Sequence, residues 1–357
     1  MFKIKPHLKK VHRIYNEIDK SKYDFRLDQS ERTTLFKDDF FQDFLKTLNQ
    51  TDFITYPYLD DLKIKIAQYN NVKKNNIFLV PGSDVGIKSM FELCVSAGDE
   101  IITTSPSFPM YNVYCNLYNG ILKTVNYKEN LTYSIDDILS GINKKTSLII
   151  IANPNNPIGD YKTKEELEPL LEYTNKLNIP ILIDEAYVEF SPGTLKEFSF
   201  KYNNVCISRT FSKAWGGAGV RLGYILGNTR IITYFNKLRL MHEVTGIAAK
   251  YGCYLLDNQL EMKNYVSLVN NEKTILVDKF SKGGFDIVNS HTNWIHFNNK
   301  TNNKTIDEVW GKRKDIVYKG KTQIPFDNRN NWIRLTIGPD LHKQDFIQQI
   351  LDINSYE

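Results

Sequence analysis

The chain has 357 residues, enough to bury a sizeable core in one large domain or two moderate ones. With 41% hydrophobic and 24% charged residues and a net charge of +5 spread along the chain, it reads as an ordinary soluble protein, not a nucleic-acid binder. Apolar runs such as Leu148–Ala152 are too short to cross a bilayer, and the lysine-rich opening Met1–Lys10 lacks the apolar stretch of a secretory signal, so a cytoplasmic protein without a membrane partner is expected.

Cys94, Cys115, Cys206 and Cys253 lie far apart with no C-x-x-C and no histidine at ligand spacing, so reduced thiols and no metal site are expected. From about residue 59 helix and strand alternate. Leu59, Leu62, Ile66 and Tyr69 recur at helical spacing, and the apolar run Ile77–Val80 follows. A helix is predicted from Asp84 to Ala97 and a strand around Glu100–Thr103. Three further apolar runs, Ser147–Ala152, Pro180–Asp184 and Asn204–Ser208, each end at polar or glycine-rich residues. Strands buried on both faces of a mostly parallel sheet read in this way, so the fold class is α/β. Ligands collect at the carboxyl ends of such strands.

After Gly227 two long helices are predicted, near Val244–Asn258 and Gln259–Ser281. Strands follow around Asn293–Phe297 and Trp332–Ile337, with a last helix from His342. This tail, 251–357, joined by residues 1–44, is read as a smaller α+β domain beside a large one spanning 45–250.

Four strand ends carry chemistry. In Val80-Pro81-Gly82-Ser83-Asp84 a strand turns through glycine into a helix, where free amides can cradle an anion; a capped β-turn is the plainer reading. Asn153-Pro154-Asn155-Asn156-Pro157-Ile158-Gly159 can aim Asn156 at a ligand oxygen, or simply turn the chain. Asp184 closes an apolar strand in Ile183-Asp184-Glu185-Ala186-Tyr187, which is costly without a cationic partner unless it caps a helix. Ser208-Arg209-Thr210-Phe211-Ser212-Lys213 sets a lysine among small and hydroxyl residues, with Arg221 following. Such a lysine can attack an aldehyde as an amine, although alone it reads as a surface residue.

The order of these motifs, over about Tyr56 to Gly338, resembles the class I/II pyridoxal-phosphate (PLP) aminotransferases, and most closely the histidinol-phosphate aminotransferase branch. The resemblance implies the aspartate aminotransferase-like fold type I and PLP as cofactor. It implies that Lys213 forms the Schiff base and moves the proton, and that Asp184 pairs with the pyridine nitrogen. Tyr187 and Asn156 would meet the cofactor's O3′. Arg221, Ser212 and Thr210, with the backbone around Gly82, Ser83 and Asp84, would hold its phosphate. Phe108 would stack on the ring. Tyr56 would reach the phosphate of a neighbouring subunit, making an obligate homodimer. Arg334, in Trp332-Ile333-Arg334-Leu335, would grip the substrate α-carboxylate through two parallel bonds.

Three departures bear on the substrate. Leu27-Asp28-Gln29-Ser30-Glu31-Arg32 stands where that branch has an N-E-N-P-like segment. Tyr318 or Lys319 stands where it has a second arginine, and Gly216-Gly217 replaces a large hydrophobic residue. Arg32, Arg239 or Lys319 is then left to contact a substrate anion, and a substrate other than histidinol phosphate is expected. The expected activity is transfer of an amino group between an amino acid, glutamate foremost, and a small, possibly phosphorylated oxo compound. The alternative is a decarboxylase like those acting on threonine phosphate. A non-catalytic PLP-binding regulator would need a fused DNA-binding domain, for which the segment before Tyr56 is too short.

Overall fold

The apolar runs of the sequence become the strands of two sheets. The computed structural model describes residues 4–13, 18–299, 306–322 and 332–354. Met1–Lys3 of the lysine-rich opening lie outside the described residues. The strands are β1 (Phe25–Leu27), β2 (Ile77–Val80), β3 (Glu100–Ser105), β4 (Ile121–Asn126), β5 (Thr146–Ala152), β6 (Ile181–Asp184), β7 (Val205–Thr210), β8 (Gly223–Leu226), β9 (Phe285–Val288), β10 (Trp294–Asn299), β11 (Ile316–Thr322) and β12 (Trp332–Thr336).

One sheet has the order β2-β8-β7-β6-β5-β3-β4. Its run from β7 to β4 is parallel throughout, and only β8 opposes its neighbours. The reason its strands are unbroken apolar runs is visible in β5. Ile149 and Ile151 enter one hydrophobic core, while Leu148, Ile150 and Ala152 enter a second core on the opposite face. Both faces are covered, so neither phase of the alternation can be polar. Each such fully buried side chain contributes roughly 1.5–3 kcal/mol.

The second sheet has the order β1-β11-β12-β10-β9. Ile295, Phe297, Ile333 and Leu335 face the helix side, where Phe297 stacks on Phe280 of the long helix Gln259–Lys282. By alternation Trp294, His296 and Arg334 lie on the other face. The register sets Arg334 directly between Lys319 and His296.

The helix expected over Asp84–Ala97 is Ser83–Cys94, because Val95 turns extended and leads to a left-handed Gly98. The long helices fall at Gly246–Asp257 and Gln259–Lys282. The first is capped by the Thr245 hydroxyl, which accepts from the Ala248 amide at 3.2 Å. Where a helix was expected from His342, a 3₁₀ turn at Leu341–Lys343 precedes the helix Asp345–Leu351. Among the described residues no helix is long and apolar enough to cross a membrane.

Candidate active site

Because β3, β5, β6 and β7 run parallel, their carboxyl ends open onto one edge of the sheet. The end of β2 joins that edge through its pairing with β8 (Val80 opposite Gly223, itself opposite Thr210). Gly82, Phe108, Asn156, Asp184, Tyr187, Thr210, Ser212 and Lys213 all follow or close these strands, and Arg221 leads into β8.

Asp184 is buried at the end of β6. The Tyr111 hydroxyl donates to its Oδ2 at 2.9 Å, while Oδ1 is buried with no partner among the described residues. Burial pushes the carboxyl up to about 6, and the Tyr111 bond works in the opposite direction. The expected cationic side chain is not bonded to Asp184 among the described residues. The buried ion pair belongs to the next residue, Glu185, which receives Arg209 at 2.7 Å. An orphaned, desolvated carboxylate oxygen fits a protonated pyridine nitrogen.

Gly82 has φ +85° and caps the helix Ser83–Cys94, whose first amides have no intrahelical acceptor. A Cβ there would stand 2.6 Å from Nη2 of Arg221, so only glycine lets the guanidinium close over the turn. Arg221 Nη1 donates to the Ser212 hydroxyl at 3.3 Å, and the Thr210 hydroxyl donates to the same oxygen at 2.9 Å. Helix amides, two hydroxyls and a guanidinium thus converge as a phosphate requires. The Asp84 carboxylate neighbours Tyr114, whose hydroxyl it helps to push up, so only the Asp84 backbone suits an anion.

Lys213 Nζ donates to the Gln29 carbonyl at 2.7 Å and stands 5.3 Å from the centre of the Tyr187 ring. Tyr187 meets the edge of Trp294 at 4.7 Å. Phe108 is half-buried and packs edge-on against Tyr111 at 5.7 Å.

Arg334 reaches across from the second sheet. Its Nη1 donates to Asn156 Oδ1 at 2.8 Å and its Nη2 to the Asp28 carbonyl at 2.9 Å, with Trp294 beneath. With Oδ1 of Asn156 so engaged, the amide nitrogen is left for a cofactor oxygen. Burial presses the guanidinium below its ordinary range, which Tyr187 and Asp28 counter in part.

Tyr56 is not brought to this edge. It is 79% exposed and stacks on His242 at 4.1 Å. Of the anion candidates, Arg32 is committed elsewhere: it pairs with Glu261 at 2.7 Å between the rings of Phe36 and Tyr265. Arg239 is exposed at the end of the helix Thr229–Leu238. Lys319 remains, and between it and Tyr318, the two residues weighed for the place of the second arginine, the register decides. Tyr318 packs on Trp310 in the helix-side core, and Lys319 shares the face of Arg334. Sequence reasoning missed Tyr111, Trp294 and the Gln29 carbonyl. Only Tyr111 carried a signal, one helical turn beyond Phe108.

A sheet edge of this construction, with a lysine, a buried carboxylate and an anion cradle, defines a PLP enzyme of fold type I. The comparisons make the assignment specific. The family model "Aminotransferase class I and II" matches residues 25–349, and the chain belongs to that family. Within it the chain falls in the histidinol-phosphate aminotransferase-like branch. It is 31% identical to histidinol-phosphate aminotransferase 2 of Carboxydothermus hydrogenoformans over 81% of this chain and 80% of that protein. The enzyme of that name from Brachyspira hyodysenteriae is also 31% identical, with 82% of each chain covered. The crystal structure of histidinol-phosphate aminotransferase from Sinorhizobium meliloti with pyridoxal-5′-phosphate superposes with a TM-score of 0.84 at 21% identity, covering 100% of this chain and 98% of that one. The chain is a PLP-dependent aminotransferase acting on small molecules.

Proposed function

We propose that the enzyme moves an amino group from an amino acid, L-glutamate foremost, to a small anionic oxo compound, with Lys213 as cofactor anchor and proton carrier. The arrangement of Arg334 carries this reading. A buried guanidinium on the second sheet, tied to Asn156 and the Asp28 carbonyl, is a carboxylate grip poised above the cofactor edge. Lys319 in the adjacent register favours a second negative group on the substrate.

Gly82, the Ser83 and Asp84 amides, Thr210, Ser212 and Arg221 would hold the cofactor phosphate, Phe108 would cover the ring, and Asn156 and Tyr187 would donate to O3′. When bound, the cofactor supplies an electron-withdrawing pyridinium that draws the electrons of the breaking Cα–H bond. Asp184 Oδ1 keeps the ring nitrogen protonated. Arg334 would hold the substrate carboxylate, and in the transamination reading that grip leaves the Cα hydrogen as the group to be removed. Lys213 Nζ would take that proton from Cα and deliver it to C4′ of the cofactor.

Residues 1–44 with 251–357 would close as one body on 45–250, drawn by the carboxylate on Arg334 and excluding water. Tyr56, beside exposed Phe53, Ile54, Tyr58, Leu240 and Met241, would reach the cofactor phosphate of a second copy across this apolar surface, in a cytoplasmic homodimer.

The test is the visible band of the lysine-bound cofactor in the purified enzyme. L-glutamate should bleach it as the amino form of the cofactor appears. A band that L-glutamate leaves unchanged, with carbon dioxide released from a phosphorylated amino acid, would instead favour decarboxylation. A solved neighbour, L-threonine-O-3-phosphate decarboxylase from Porphyromonas gingivalis, has the same fold at a TM-score of 0.76.

A further inference from the structure

His296 lies in the middle of β10, 0% exposed, and among the described residues neither of its ring nitrogens has a hydrogen-bond partner. Buried polar groups are nearly always paired, so an imidazole with two unmade bonds calls for an explanation. Directly opposite it on β12 is Arg334. Such cross-strand partners project from the same face with Cβ atoms about 4.5–5.5 Å apart. Arg334 has the complementary deficit. It is 6% exposed, its terminal nitrogens are engaged at Asn156 and Asp28, and its Nε is a buried donor with no acceptor among the described residues.

Burial, and then the adjacent guanidinium, press the imidazole down to about 3, so the ring is neutral near pH 7 and keeps one acceptor nitrogen. The amide nitrogen of Asn298, two residues on along the same strand, is a second buried donor without a partner. One acceptor cannot serve both fully, and the charged donor makes the stronger bond.

We propose that His296 is a positioning residue for Arg334, accepting from its Nε–H as the guanidinium turns from Asn156 and Asp28 to a substrate carboxylate. The bond fixes the plane of the fork, so that both terminal nitrogens meet the two carboxylate oxygens together. A leucine at 296 would fill similar space and leave Nε unmatched. This inference rests on the reading of Arg334 as the carboxylate grip.

The test compares PLP-loaded wild type with His296→Leu and His296→Gln, and with Arg334→Lys alone and combined with His296→Leu. KM and kcat are measured, with melting temperature as a check on folding. The donor is L-glutamate, or whichever of the common L-amino acids bleaches the wild-type band. His296→Leu should raise KM about tenfold, the scale of one hydrogen bond to a charged group, with kcat within about twofold. His296→Gln should recover most of the loss. In the Arg334→Lys background His296→Leu should change KM by less than about twofold, since the two effects share one interaction. An unchanged KM in His296→Leu, or an undiminished effect in the Arg334→Lys background, overturns the proposal. Should the leucine variant not fold, His296→Phe takes its place under the same criteria. A wild type that responds to no amino acid removes the transamination reading itself, and this inference with it.

Discussion

Asp184 shows how one residue's surroundings divide its labour. Tyr111 occupies Oδ2, so the free oxygen has a defined direction, and the bond offsets part of the cost of burying the carboxylate. Tyr111→Phe should therefore lower kcat about tenfold with little change in KM, the loss expected of one charge-assisted bond. Steady-state kinetics on the PLP-loaded variant decide it, and an unchanged kcat would remove Tyr111 from the machinery. A second raised carboxyl, outside the proposed cofactor contacts, also contributes to how stability depends on pH. Burial pushes Asp160, which accepts from Tyr127 at 2.6 Å, up to about 6 from an ordinary 3.8. Its folded pKa is raised, so its contribution to stability is full below about pH 4 and is lost as the pH rises through about 6. Asp160→Asn should flatten that part of the unfolding profile and stabilise the protein at pH 7 by on the order of 1 kcal/mol. Chemical denaturation at several pH values measures it, and a variant with the same slope as wild type refutes the assignment.

At this scale much of the site was legible in the sequence. The strand-end residues carried over from the family motif converge at one edge, because their types and order are what the chemistry needs. What escaped was whatever depended on register or on backbone. A tyrosine one turn past Phe108 reads as helix core until its hydroxyl is seen on Asp184. The Gln29 carbonyl has no residue-type signal at all. The choice between Tyr318 and Lys319 needed a strand, β11, that its short, charged sequence did not announce.

Among the elements, the strands that spell unbroken apolar runs were readable, and β4, β8 and β11 were not. β5, β6 and β7 bury both faces and so spell unbroken apolar runs. β4 is an edge strand of exposed and half-buried residues, and β8 opens on Gly223 and runs straight into Gly227, so neither stands out from a loop. The junction of β2 with its helix is the element on which the anion cradle depends. Gly82→Ala would force a side chain into a left-handed backbone and into the Arg221 guanidinium. The expected result is a PLP affinity lowered by at least about tenfold, with a smaller loss of melting temperature, because the clash falls on the phosphate ligand and not on the core. Equilibrium dialysis of the cofactor, read beside thermal unfolding, separates the two effects.

For the whole molecule, Phe53, Ile54, Tyr56, Leu240 and Met241 are all large apolar side chains left exposed, and on the proposed dimer a second copy would cover them. Light scattering should give twice the 41.5 kDa of one chain. Leu240→Glu with Met241→Glu should shift the mass toward the monomer and weaken cofactor retention at the same time, since Tyr56 would leave the neighbour's phosphate. A monomeric wild type that retains cofactor would contradict the shared site.

The second sheet also joins the two ends of the chain. Among the described residues β1 pairs only with β11, the Asp28 carbonyl receives Arg334, and the Ser30 amide donates to the hydroxyl of Thr336. During synthesis the opening segment therefore emerges long before the strands that hold it. At about 5–20 residues per second the delay is roughly 15–60 seconds. Throughout that interval the seven-stranded sheet can complete itself while β1 has no ladder to join. On the proposed roles, the ribosome would deliver Lys213 and the anion cradle first, and the surroundings of Arg334, the proposed substrate contact, would be the last to assemble.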